Sequence, residues 1–244
     1  MSATTILNNN DHRPWKTPSH KWSYYQEWNR AIFLHWEVDL ELLKPFVPDD
    51  IEIDLFNGKP WVSLVAFTME KIRPRFLPSF PPISNFDEIN IRTYVKSNNK
   101  TGVYFLSIEG GKRFSCQLAK TLSQLPYRYS KIKRSPNSYQ SYNSHYNDRL
   151  DIQFNIGENI IHKTEIDSWL TERYALFQDS KKHINEYEIH HQEWQISPID
   201  VIRLDLSYPR FKNLIVGKPI KTQYSDGVKV IAWDKTKSLK KLNK

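Results

Sequence analysis

Glu88, Asn90 and Arg92 stand two residues apart, and Tyr127 and Arg128 follow directly after Pro126. On a β-strand the first three side chains share one face. A carboxylate, an amide and a guanidinium therefore line up either as a solvated exterior or as the polar wall of a pocket, with Tyr94 on the same face. Guanidinium groups grip carboxylates through paired hydrogen bonds, and a carboxylate beside a phenol can move a proton. Anion binding and acid/base work are thus the chemistries these types offer. Pro126 ends a helical pattern and turns the chain, so Tyr127 and Arg128 are expected to point inward, with Arg128 close enough to Glu88 for a partly buried ion pair.

Other chemistries are excluded by spacing. Of the eight histidines, none forms an HxxxH or HxH pair, and adjacent His190 and His191 on a strand point to opposite faces. The single cysteine, Cys116, rules out a thiolate cluster and reads as a small buried side chain. No metal site is expected. The seven glycines form neither GxGxxG nor GxxxxGK[ST], and no GxSxG elbow occurs. Nucleotide cradles and serine triads are out, and no cofactor is expected. His35 reads as a buried, hydrogen-bonded core histidine.

The net charge of +8 is local: residues 112–134 hold seven Lys or Arg and no Asp or Glu, and residues 234–244 hold five Lys and one Asp. The rest of the chain is slightly acidic, so nucleic acid is not expected as a partner. No apolar run approaches the ~20 residues of a spanning helix, and the first residues lack a leader pattern. The expectation is a cytoplasmic protein with a small-molecule ligand and no membrane partner; a homo-oligomer is left open.

These side chains need a scaffold, and the elements that hold them read mostly as strands. Aromatics make up 14% of the chain. Asp39 caps a short helix over 40–44. Residues 51–55 and 61–69 read as a hairpin about Asn57-Gly58, and the second strand is apolar on both faces. A proline-rich loop over 73–82 reads as ordered. Strands follow at 89–96 and 102–108, then a helix over 115–124 whose Phe114, Leu118, Leu122 and Leu125 recur at helical spacing. Strands are expected at 139–146, 150–156, 173–178, 185–194, 201–206, 214–216 and 228–233, with a short helix over 166–172 capped by Thr164 or Asp167. The sum is a mainly β (α+β) fold, a closed or double-layered antiparallel sheet with two or three short helices. Residues 1–20 form a surface segment, 21–234 a single β domain, and 235–244 a basic flexible tail.

The stretches Ala31–Pro48, Ile51–Asp54, Trp61–Phe67, Asn90–Val95 and Trp169–Tyr174 resemble the YqjF-like family of bacterial proteins over residues 12–235. That family is similar to acetoacetate decarboxylase, which implies an antiparallel β-barrel around an enclosed pocket. The resemblance implies that the positions of the decarboxylase's paired lysines, after Pro126, hold Tyr127 and Arg128, so the imine-forming amine is absent. Glu88 keeps an acidic pocket position, Arg30 stands for the substrate-binding arginine if the register slips by one, and His191 matches a pocket histidine. Lys131 and Lys133 read as solvated. Two functions are carried forward: a barrel binding a small organic acid through Arg128, Arg92 and Glu88, or a lyase-like enzyme using Tyr127 and Glu88 on a keto or unsaturated acid.

Overall fold

The computed structural model describes residues 2–180 and 183–239. The elements in chain order are α1 (Ala3–Asn8), β1 (Tyr24–Glu37), α2 (Leu40–Leu43), β2 (Glu52–Ile53), β3 (Trp61–Pro74), α3 (Pro81–Ser84), β4 (Phe86–Ser97), β5 (Lys100–Gly110) and α4 (Arg113–Ser123). They continue with β6 (Arg128–Tyr129), β7 (Lys131–Ser135), β8 (Ser138–Asn143), β9 (Asp148–Ile156), α5 (Glu165–Thr171), β10 (Ala175–Asp179), β11 (His183–His191), β12 (Ser197–Ser207), β13 (Lys221–Ala232) and β14 (Thr236–Leu239).

Seven strands close on themselves in the order β11-β10-β5-β4-β3-β1-β13, and β13 pairs back to β11. Every pairing round this barrel is antiparallel except β5 with β10. From β13 the sheet runs on through β12, β9, β8 and β7. This wing folds over the outside of the barrel: Ile32, Leu64 and Ile89 on the barrel wall share one apolar core with Tyr139, Ile152 and Phe154 of the wing. The barrel is therefore both closed and double-layered. A strand with a core on each side is apolar on both faces, which accounts for the unbroken burial of β3 from Trp61 to Met69.

Asp39 caps α2 by accepting from the Glu41 amide, and Thr164 and Asp167 form a reciprocal capping box on α5. Asn57 and Gly58 make the expected tight turn with φ of 49° and 78°. The hairpin assigned around that turn is corrected, since β2 pairs with β4 rather than with β3. Residues 214–216 form no strand; a 3₁₀ turn at Pro209–Phe211 buries Leu214 and Ile215 instead. In the proline-rich stretch, β3 reaches Pro74 and α3 begins at Pro81.

Helix α4 lies where the sequence puts it and ends at Gln124 in the left-handed region, φ 64°. Its orientation is the reverse of the apolar reading. Ser115 and Cys116 face the barrel, whereas Phe114, Leu118 and Leu122 are exposed. The Cys116 thiol donates to the Gly110 carbonyl at 3.4 Å, and a Cβ on Gly110 would lie 2.7 Å from that sulfur. Close packing of the helix on β5 thus runs along its small-residue side and turns Phe114 and Leu118 outward, while Leu122 and Leu125 border the cavity.

The N-terminal segment is anchored by buried Ile6 of α1 and by Arg13, which pairs with Glu188 at 2.6 Å. The free tail expected from residue 235 is corrected in its first part: β14 pairs antiparallel with β11 from Glu186↔Thr236 to His183↔Leu239. Residues 240–244 lie outside the described residues. Deleting residues 235–244 is expected to remove this edge pairing and lower Tm by roughly 2–4 °C, the shift that about 1 kcal/mol produces in a chain of this size. Thermal unfolding followed by circular dichroism checks this; an unchanged Tm would return the segment to the status of a dispensable tail.

Candidate functional site

A cavity of about 480 Å³ fills the barrel interior. The inward side chains of β4 supply its polar wall: Glu88, Asn90 and Arg92 all line it, which resolves the choice between exterior and pocket wall. Phe33, Val65, Phe67, Trp28 and Trp194 belong to the apolar surround.

Irregularities in strand pairing decide what enters. Trp28 and Phe33 both line the cavity although five residues apart, which simple alternation forbids. The extra residue is Arg30, at φ 56° in a register shift between Asn29 and Ile32. Gly227 lies opposite at φ 133°, where a Cβ would meet the Trp28 carbonyl oxygen at 2.3 Å. Arg30 is expelled by this bulge to an outer groove, where its guanidinium donates to Thr68 Oγ1 at 3.0 Å. A second shift, between Ile91 and Arg92 against β5, lets Phe105 and Val103 face inward while Ser107 and Glu109 face outward.

Glu88 is 2% exposed. Tyr127 donates its hydroxyl to Glu88 Oε2 at 2.6 Å, and Asn90 Nδ2 approaches Oε1 at 3.4 Å. Among the described residues no cation pairs with this carboxylate. Burial consequently pushes its pKa up to about 7, against the opposite pull of the Tyr127 and Asn90 hydrogen bonds. Tyr127 turns inward as expected; Arg128 does not. Alternation through β6 sends Arg128 to the outer face, where it lies 3.6 Å from Glu109, donates to Ser107 Oγ and sits over the Tyr146 ring. The Arg128–Glu88 pair is therefore corrected to Arg128–Glu109 and Tyr127–Glu88. Lys131 and Lys133 are exposed on β7.

The cation on the same face as Glu88 inside the barrel is Arg92. Its Nη2 reaches the Leu170 carbonyl at 3.5 Å, its Nε has no hydrogen-bond partner, and among the described residues it makes no ion pair. Burial pulls its pKa below the usual guanidinium value. Two same-face steps along the strand put it about 13 Å from Glu88 at the Cα level, too far for the two to meet. Arg173 lies beside it, buried and paired with Asp54 at 2.7 Å, with Nη2 unpartnered. Asn90 Oδ1 and Trp28 Nε1 are likewise without partners. His191 lines the cavity next to Trp194, while His190 faces away and bonds the Ile6 carbonyl at 2.9 Å. Among the described residues no group of three or more His, Cys, Asp or Glu is placed to hold a metal.

Sequence reasoning missed Arg173, Trp28, Trp194 and Lys235. Lys235 lies at the cavity's edge, near the Ser123 carbonyl at 3.5 Å, and burial with neighbouring Lys237 lowers its pKa. The one signal for Arg173 was its place in the Trp169–Tyr174 stretch, and for Trp28 the glycine opposite its bulge.

Because Glu88 titrates at about 7 in the folded chain against 4.5 in the unfolded one, its contribution favours folding below pH 4.5 and is lost as pH rises to 7. The loss amounts to roughly 3 kcal/mol. Glu88→Gln is expected to show no such loss, so that the mutant gains on the parent from pH 5 to about pH 7 and the gap then levels off towards pH 8. Urea unfolding of both proteins across that range reads the difference; a constant gap would place the carboxyl's pKa at its ordinary value.

Residues 25–229 match the DUF2071 family, described as an uncharacterised conserved protein. YqjF of Bacillus subtilis strain 168, an uncharacterised protein, is 34% identical over 184 residues, which is 72% of this chain and 76% of the relative. Among solved structures, an acetoacetate decarboxylase-like enzyme from Sphingomonas wittichii RW1 aligns with a TM-score of 0.63 at 12% identity, covering 93% of this chain and 98% of that one. Acetoacetate decarboxylase from Legionella pneumophila gives the same TM-score and identity, covering 99% and 96%. The enduracididine biosynthesis enzyme MppR, complexed with pyruvate, gives 0.57 at 8% identity and 93% of each chain. At such identities the likeness is one of fold: an acetoacetate decarboxylase-like barrel. The family match over most of the chain and the YqjF relative together establish that this chain belongs to the DUF2071 family.

Proposed function

We propose that the barrel binds a small organic acid without a covalent bond, its carboxylate directed at Arg92 and Arg173 and its apolar body held by the aromatic wall. The observation that carries this reading is Arg92, a guanidinium inside an apolar cavity with no carboxylate partner among the described residues and an unpartnered Nε. A buried unpaired cation is costly unless a counter-charge arrives, and a carboxylate supplies one together with acceptors for the open donors. That MppR, which shares the fold, is complexed with pyruvate is in keeping with this class of ligand.

The Glu88–Tyr127 pair favours a second reading. A carboxyl titrating at about 7 beside a phenol at 2.6 Å is suited to exchange a proton with a keto or unsaturated acid bound at Arg92. Deuterium exchange into the α-carbon of pyruvate or acetoacetate, read by NMR and abolished by Glu88→Gln, would promote that reading over simple binding.

Calorimetric titration with a series from pyruvate to octanoate tests the first. Binding is expected to fall by at least about tenfold in Arg92→Met, the loss of one charge-assisted pair. That variant should be as stable as the parent or more so, because a buried unpaired charge has been removed. Affinity is also expected to decline modestly as pH rises through 7 and Glu88 ionises in the same cavity as the bound anion. Undiminished binding in Arg92→Met would end the assignment.

Borohydride added to the protein with acetoacetate is expected to leave the intact mass unchanged. The resemblance places Tyr127 and Arg128, neither able to form an imine, where the amine pair belongs. An adduct at Lys235, the described lysine nearest the cavity, would replace the non-covalent reading with an imine one.

A further inference from the structure

The stripe on α4 that faces outward is not isolated. Phe114 is 64% exposed and Leu122 56%, while in the preceding loop Phe76 is 85% exposed, with Leu77 and Phe80 close behind. Hydrogen bonds tie the start of α4 to α3, which follows directly on that loop: Lys112 Nζ donates to the Pro82 carbonyl at 3.1 Å and Ser115 Oγ to the Ile83 carbonyl at 2.8 Å. Six large apolar side chains in two adjoining segments exceed the scattered exposure normal for a surface and mark a contact site.

The charge around them selects the partner. Residues 71–82 and 112–134 together contain ten Lys or Arg and no Asp or Glu. Of these, Lys112, Arg113 and Lys120 are exposed on or beside α4, and Arg75 lies over the Phe76 ring at 5.3 Å. A two-fold contact between copies through this face would set the same cations against each other. An anionic surface neutralises them while the rings enter an apolar layer, the arrangement of helices that lie in a membrane interface. No helix among the described residues is long and apolar enough to cross a membrane, which leaves such peripheral contact unaffected.

We propose that the face formed by α4 and the 76–80 loop docks on an anionic lipid bilayer. The face adjoins the barrel interior directly, because Leu122, Ala119 and Ser123 of α4 also line the cavity. Docking would therefore set the cavity's edge against the lipid. The proposal stands on this surface alone and does not depend on what the cavity binds.

Flotation of the full chain with vesicles of phosphatidylcholine, with and without added phosphatidylglycerol, tests it. The protein is expected to float with the anionic vesicles only, and less at high salt. The variant Arg75→Gln/Arg113→Gln/Lys120→Gln should lose about a hundredfold in partitioning, from about fivefold per charge. The variant Phe76→Ser/Phe80→Ser/Phe114→Ser should lose at least tenfold. Five of the six positions are exposed and Arg75 is half-buried against the Trp22 ring, so both variants should keep the parent's Tm within a few degrees. Absence of flotation, equal flotation with neutral vesicles, or a charge variant that partitions like the parent would overturn the proposal. So would sedimentation velocity showing that the Phe variant dissociates an oligomer, since the face would then join copies of this chain.

Discussion

The carboxyl of Glu88 is buried in an apolar barrel with a phenol rather than a cation as its nearest partner. An ionised carboxylate so placed is strongly disfavoured, and the group responds by holding its proton to near neutral pH. Much of the surrounding architecture serves this one placement. Barrel closure shields it from water, Gly110 opposite it on β5 lets α4 pack close by, and Pro126 turns Tyr127 in to meet it. Had Arg128 reached the same carboxylate, the pair would have been a fixed salt bridge and the cavity would have lost its titrating group.

The barrel wall treats a second buried carboxylate differently. Glu109 sits one residue from Glu88's cross-strand partner and so on the opposite face, where Arg128 lies 3.6 Å away and Ser107 and Ser130 donate to it. Tyr127 and Arg128 are adjacent, and strand geometry gives one to each side. The outer carboxylate receives the cation and the hydroxyls and becomes part of the cement between barrel and wing. The inner one receives a phenol and an amide and stays available. Opposite fates for two nearby glutamates thus follow from side-chain alternation rather than from any difference in the residues themselves.

Alternation was legible in the sequence, and the strands it defined are largely where it put them: Glu88, Asn90 and Arg92 do share a face, and His190 and His191 do point apart. What alternation could not reveal is where it is broken. The extra residue at Arg30 exchanges the faces of β1, bringing in Trp28 and sending out the arginine taken as a ligand. Helical periodicity failed in a related way at α4. An apolar stripe ordinarily marks the face toward the core, but here Ser115 and Cys116 fit tightly against β5, Leu122 and Leu125 reach the cavity, and Phe114 and Leu118 are left exposed. Period identifies an amphipathic helix; it does not say which of its faces the protein uses. The pairing of β14 was hidden because four residues of mixed polarity carry no pattern, and their position is fixed by the open edge of β11.

The cationic end of the cavity depends on a histidine that stays neutral. His35, fully buried, lies 2.6 Å from Ser63 Oγ and 3.2 Å from Gln223 Oε1. A carboxamide oxygen only accepts, so the ring proton sits on Nε2 and Nδ1 is left to accept from the serine. Burial and the charge of Arg92 lower its pKa to about 3. A protonated His35 would add a positive charge beside Arg92 and Lys221, while the nearby carboxylate of Asp167 is already paired with Lys221 at 2.6 Å. By remaining neutral it lends hydrogen bonds to the floor of the barrel without charge, so the positive potential there belongs to Arg92 and Arg173. One of these is already matched by Asp54, and the other, Arg92, is the group around which a bound anion would have to be organised.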